Sequence, residues 1–301
     1  MSSYNQQIQH PLLEQQQVAL WIKREDLLHP IISGNKFRKL KYNIKEALAL
    51  GQKTILTFGG AYSNHIVATA CAAKEAGLKA IGVIRGEELK EKWKTNPTLV
   101  QAASYGMQFL FVTREAYRLK TEADYILKLK NEFGDFYHIP EGGTNALAVK
   151  GCEEILTKED ERFNFVSCAV GTGGTAAGII NSLTENQQVL AYPALKGDFL
   201  KAEIDKFATN EQWQLVTDYH FGGYAKVTEP LVQFINEFKR DTGIPLDPIY
   251  TGKMLFGIWK SIIQGNFTKG TKILAIHTGG LQGIKGMNQQ LIRRNLPVLD
   301  L

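Results

Sequence analysis

The sequence predicts an α/β fold built from doubly wound, mostly parallel sheets. Three observations carry that expectation. Short β-rich runs alternate with helical stretches along most of the 301 residues, the runs are apolar almost without interruption, and no internal repeat or long linker breaks the pattern. A strand covered by helices on both faces has no solvent side, so its sequence loses the in–out alternation of a half-exposed strand.

Taken in order, the expected strands are TILTF (54–58), AIGVIR (80–85), QFLFV (108–112), NFVSCAV (164–170), QVLAY (188–192) and KILAIH (272–277). Segments 64–76, 95–105, 116–132, 175–184, 228–241 and 253–263 read as helices. Strands and helices thus follow the order that parallel pairing with helical crossovers requires. EGGTNALAVKG (141–151) is the most turn-rich seam and a place for the chain to cross between lobes.

Composition narrows the class further. Hydrophobic residues at 44% and charged residues at 22% exclude disordered, collagen-like and coiled-coil chains. No apolar run approaches the roughly 18 residues of a spanning helix. The stretch MSSYNQQIQHPLLEQQQ lacks the basic and apolar regions of a signal peptide. A soluble, cytoplasmic protein is therefore expected. The net charge of +5, from 35 Lys and Arg against 30 Asp and Glu, is dispersed rather than arranged as a basic stripe. That dispersal argues against nucleic-acid and membrane partners. Cys71, Cys152 and Cys168 share no metal-ligand spacing, so they are read as small core residues in a reducing compartment and no metal is expected.

The strongest chemical signal is AVGTGGTAAG (169–178), which follows an expected strand and opens a small-residue helix. Gly171, Gly173 and Gly174 free the backbone N–H groups for close approach, Thr172 and Thr175 add hydroxyls, and the helix dipole favours an anion. A phosphate cradle is the physical reading, and a tight turn with packing glycines is the plainer alternative. No GK[ST] follows, which excludes a P-loop. Gly171-x-Gly173-x-x-Ala176 meets the loose dinucleotide fingerprint, but the next expected strand lacks the acidic residue that a ribose needs. A nicotinamide-dependent oxidoreductase is thereby demoted to an alternative.

FGGAYSNH (58–65) places Ser63 or Asn64 to cap the helix expected at 64–76. With two preceding glycines, the same geometry offers a hydroxyl, an amide and free N–H groups to a carboxylate. His65 reads as a polar packing residue. In SGNKFRKLKYN (33–43) a lysine could act as a nucleophile if deprotonated, yet the spacing alone does not single out Lys36 from its basic neighbours.

SGNKFRKL, GGAYSNH, EGGTNALAVKG, AVGTGGTAAG, DPIYTGK and HTGG occur in a telling order. From about Leu20 to Gly286 the chain resembles pyridoxal-phosphate enzymes of the tryptophan synthase β type (fold type II). More narrowly it resembles the group holding 1-aminocyclopropane-1-carboxylate (ACC) deaminase and D-cysteine desulfhydrase. The resemblance implies pyridoxal 5'-phosphate as cofactor and two doubly wound α/β domains, a large one from 1–47 plus 149–301 and a small one over 48–148. It also implies a homodimer.

By the same resemblance, Lys36 binds the cofactor aldehyde, Lys39 lies near its phosphate and Asn64 faces its 3-hydroxyl. Gly171, Thr172, Gly173, Gly174 and Thr175 form the phosphate cradle. Ser63 meets the substrate carboxylate as nucleophile or proton-transfer residue, and Tyr250 and Tyr224 are active-site tyrosines. Deaminase members carry a glutamate directly after the tyrosine, at the pyridine nitrogen. Here Thr251 stands there and HTGG supplies Thr278, as in the desulfhydrase-like members. A neutral hydroxyl gives a weaker electron sink than a carboxylate. It suits expulsion of a thiolate better than opening of a cyclopropane. The implied reaction is β-elimination on a small amino acid, D-cysteine first, giving pyruvate, sulfide and ammonia. ACC deamination to 2-oxobutyrate and ammonia is the alternative.

Overall fold

Two sheets, one of six strands and one of four, organise the chain. The computed structural model describes residues 3–197 and 199–300. The N-terminal elements are β1 (Asn5–Gln7), α1 (Pro11–Gln16), β2 (Ala19–Lys23) and α2 (Asn35–Ala49). Next come β3 (Thr54–Gly60), α3 (Asn64–Glu75), β4 (Lys79–Arg85), α4 (Pro97–Ser104), β5 (Gln108–Val112), α5 (Arg114–Arg118), α6 (Ala123–Phe133) and β6 (Tyr137–Ile139). The remainder is α7 (Ala146–Glu153), β7 (Phe165–Val170), α8 (Gly174–Asn181), β8 (Gln188–Pro193), α9 (Phe199–Asp205), β9 (Trp213–Leu215), α10 (Glu229–Thr242), α11 (Thr251–Ile263), β10 (Lys272–Ile276) and α12 (Ile284–Arg293).

The larger sheet runs β1-β2-β10-β7-β8-β9 and the smaller β5-β4-β3-β6. Every pairing is parallel except β1 with β2. Both sheets are covered on both faces, as their apolar strands require. In β10, Ile273 and Ala275 enter one core cluster while Leu274 and Ile276 enter the cluster on the opposite face. In β4, Ala80 and Ile84 face one way and Ile81 and Val83 the other.

The structure adds α1, α2, α9 and α12 to the expected helices and departs from the sequence expectation in two further regions. The helix expected over 116–132 is two helices, α5 and α6. Tyr117 and Leu129 both pack with Phe58 and Val83 in one cluster, whereas one straight helix would hold them roughly 18 Å apart. The chain must turn between them. Of the segment 141–151, only the first part is turn-like, and its second half is the start of α7.

Two close approaches bring α2, α7 and α8 together. A Cβ on Gly151 of α7 would lie 2.0 Å from the Arg38 carbonyl oxygen of α2. A Cβ on Gly178 of α8 would lie 2.5 Å from Cys152 Cβ of α7. On α2, Arg38 also makes a bidentate pair with the fully buried Glu25 at 2.8 and 2.9 Å. These contacts fix α2 beside the start of α8, where the glycine loop lies. Gly151→Ala is expected to destabilise the fold by about 2 kcal/mol, overpacking outweighing the better helix propensity of alanine. The check is the urea midpoint, and an unchanged or higher value would mean that α2 and α7 part without cost.

Candidate active site

The cleft opens at the carboxyl ends of β2, β3, β7 and β10, where doubly wound sheets place their ligands. It encloses about 760 Å³, its open mouth included. Lys36, Lys39, Ser63, Asn64, Gly171, Thr172, Gly173, Thr175, Tyr224, Tyr250 and Thr278 all line it. Gly174 does not. It is buried, and a Cβ there would meet Thr144 Cγ2 at 2.8 Å.

Lys36 enters from the first turn of α2. Gly34 before it has φ +62°, and a Cβ there would lie 2.0 Å from the Thr278 carbonyl oxygen, so only glycine lets the two segments touch. The Asn35 amide donates to that same oxygen at 3.3 Å. Burial, and then the charge of Lys39, lower the Lys36 pKa to about 7. An appreciable share of its amine is therefore neutral, and so nucleophilic, near pH 7. Lys39 lies one turn on and is 1% exposed. Its Nζ donates to Gly142 O at 3.1 Å, Thr144 Oγ1 at 2.8 Å and Thr172 Oγ1 at 3.4 Å. Burial lowers its pKa to about 8.

The glycine loop joins β7 to α8 with Gly173 at φ +81° as the helix cap. Among the described residues, no group accepts from the amides of residues 171–176, which leaves a set of donors at the positive end of a helix. Asn35 Nδ2 donates to Thr175 Oγ1 at 2.8 Å and so ties α2 to this loop.

On the opposite wall, Ser63 caps α3 by backbone position but its hydroxyl makes no capping bond. Ser63 thus holds the expected N-cap position without a side-chain cap, and its hydroxyl stands free at the cleft. Asn64 Oδ1 is buried with no hydrogen-bond partner among the described residues. His65 lines the cleft beside them and is itself buried. Thr57 Oγ1 donates to Ile139 O at 2.8 Å, so the 2.8 Å contact with His65 is a bond from Nε2–H to the Thr57 oxygen. Burial and the two lysines hold the His65 pKa well below its usual value. It is therefore neutral near pH 7, and it forms part of the cleft lining rather than packing alone.

Tyr250 stands at the start of α11, its amide donating to Asp247 Oδ1 at 2.8 Å. Gly171 has no side chain, and a Cβ there would be 3.1 Å from the Tyr250 ring. Burial first, then Tyr224, raise the Tyr250 pKa well above 10. Tyr224 is 42% exposed, meets Tyr250 edge-on with ring centroids 6.3 Å apart, and has its pKa raised by burial of its phenol. Both phenols keep their protons at neutral pH and can serve as donors.

Thr251 departs from the expectation that placed it at the cofactor ring. Its hydroxyl donates to Asp247 Oδ2 at 2.7 Å and accepts from the Asp247 amide at 3.0 Å. It is fully buried and lies outside the cleft lining, whereas Thr278 lines it. The lining also includes Asn35, Ser33, Gly142 and Gln282, which the sequence reading did not single out. For Asn35 the available signal was its place beside Lys36 in GNK, and for Gly142 the doubled glycine of EGGT. Among the described residues the lining holds two lysines and no carboxylate.

The sequence profile described as pyridoxal-phosphate dependent enzyme matches residues 6–279. A Pyrococcus horikoshii protein with a provisional ACC deaminase name is 34% identical over 282 residues, covering 88% of this chain and 85% of its own. The Arabidopsis thaliana mitochondrial bifunctional D-cysteine desulfhydrase/ACC deaminase is 31% identical over 293 residues, covering 88% of this chain and 73% of its own. A solved structure described as an ACC deaminase homologue superposes with TM-score 0.82 at 29% identity, over 97% of this chain and 94% of that one. The profile matches residues 6–279 and each of the two sequence relatives covers 88% of the chain, and on that ground the chain belongs to the pyridoxal-phosphate-dependent enzyme family.

Proposed function

We propose that this lyase eliminates a β-substituent from a small D-amino acid, D-cysteine before others, and with one water yields pyruvate, sulfide and ammonia. The observation that carries the reading is the absence of any carboxylate among the described residues lining the cleft. Where the deaminase members carry a glutamate this chain has Thr251, which turns away to Asp247, and it is the Thr278 hydroxyl, not that of Thr251, that lines the cleft. The family membership leaves the nicotinamide alternative without support.

The residues fit pyridoxal 5'-phosphate. The unpartnered Asn64 Oδ1 suits a ring hydroxyl donor, and the unused amides of 171–176 suit a phosphate, with Thr172 and Thr175 beside them. Lys39 offsets the phosphate charge from α2, and Lys36 is the amine that holds the aldehyde. When bound, the cofactor supplies an electron-withdrawing ring that stabilises negative charge at the substrate Cα. The chain's own residues do the rest. The N-terminus of α3, with the free Ser63 hydroxyl, receives the substrate carboxylate. Lys36 or Ser63 takes the Cα proton, and the protonated phenols of Tyr250 and Tyr224 donate to the departing group. We further propose that the segment 48–148 moves as the small domain to shut out water, and that the protein works as a cytoplasmic homodimer.

Three tests follow from this reading. The purified protein should turn over D-cysteine with matched release of sulfide and pyruvate. Turnover of ACC to 2-oxobutyrate with D-cysteine left intact would reverse the substrate order. Lys36→Ala should lose turnover, and borohydride treatment should then trap no cofactor on the protein by mass spectrometry; retained turnover would remove Lys36 from the mechanism. Cofactor capture by the apoprotein should accelerate as pH rises through about 7, where Lys36 changes from charged to neutral, and level off above. A capture rate that falls over that range would contradict the nucleophile assignment.

A further inference from the structure

Tyr250, which caps α11, and Lys253 and Gly257 within it are spaced i, i+3 and i+7. All three meet the segment 217–226. Tyr250 meets the ring of Tyr224. A Cβ on Gly257 would lie 2.7 Å from Tyr219 Cδ2, so the missing side chain is what lets that ring rest on the helix. Between them Lys253, 1% exposed, donates to His220 O at 2.9 Å and Gly223 O at 2.8 Å.

The segment held this way has an unusual backbone. Phe221, Gly222, Gly223 and Ala225 have φ of 54°, 88°, 117° and 56°. Phe221 and Ala225 adopt the left-handed region without being glycine, a conformation that persists only when outside contacts hold it. Tyr224 sits in the middle of this run. Among the described residues no carboxylate pairs with Lys253, and burial lowers its pKa to about 8 against the opposing pull of Asp247. A buried ammonium held only by two carbonyls is a costly way to fill space that a methionine could fill.

We propose that Lys253 is a positioning residue for Tyr224: it clamps the carbonyls of His220 and Gly223 so that the phenol is set beside Tyr250 over the cleft. The proposal rests on the reading of Tyr224 as part of the reacting wall. It is tested in the holoenzyme with Lys253→Met, Lys253→Gln, Tyr224→Phe and the two double variants. In the wild-type background, Lys253→Met should lower kcat for D-cysteine roughly tenfold, with cofactor affinity held within about twofold. In the Tyr224→Phe background the same change should cost less than about twofold, because the group it positions is already gone. Hydrogen exchange read by mass spectrometry should speed up over 221–226 and stay unchanged over 171–181. Lys253→Gln keeps one donor and should fall between, which preserves the comparison if the methionine variant does not fold.

Equal losses in both backgrounds, or unchanged exchange over 221–226, would overturn the clamp. A wild-type protein that eliminates no β-substituent would instead overturn the reaction assigned above, while the exchange result still decides the role of Lys253.

Discussion

The site depends on how closely three helices can approach. Gly151 lets α7 press on the backbone of α2, and Gly178 lets α8 press on α7. Without those two missing side chains the helices would stand apart by about a methyl group or more. The lysines of α2 would then lose the oxygens of residues 142, 144 and 172 that now receive Lys39. The glycine loop would lose Asn35, which reaches it from the same helix. Packing at two positions therefore sets the distance between an amine and a bed of amide donors.

That arrangement gathers positive charge where water is scarce. Lys36 and Lys39 are both driven toward neutrality by burial, and Lys36 further by its neighbour. No acidic side chain among the described lining residues relieves them. A ligand bearing a phosphate would supply the compensation, and its binding would then be coupled to fold stability through the same two amines. His65 stays neutral between them and the sheet, held by Thr57, and adds no further charge.

Much of this was legible before any coordinates. The six expected strands appear because burial on both faces leaves an unbroken apolar run in all of them but β5, a half-buried edge strand whose run of Phe, Leu and Val is apolar all the same. β1, β2, β6 and β9 escaped notice because three- to five-residue strands at or near sheet edges carry little periodicity. The spacing of basic residues around Lys36 does not show which of them is buried, and the burial of Lys39 is visible only once Thr144 and Gly142 fold over it. Chemical residues were found through motif order rather than through spacing, and the threonine after Tyr250 was placed wrongly for the same reason. Chain position next to a functional tyrosine does not say which way a side chain turns, and Thr251 turns inward to Asp247.

The contact of Gly34 with Thr278 has an evolutionary side. It is backbone against backbone, and the free amides of the glycine loop are likewise main-chain groups, so this part of the cleft is shaped largely by main-chain atoms. The wall that would meet the substrate is written in the side chains of Ser63 and Tyr224, carried by separate segments. Mutation can revise the second without erasing the first. A scaffold divided this way can exchange one amino-acid chemistry for another by drift at a few positions, with the cofactor retained throughout.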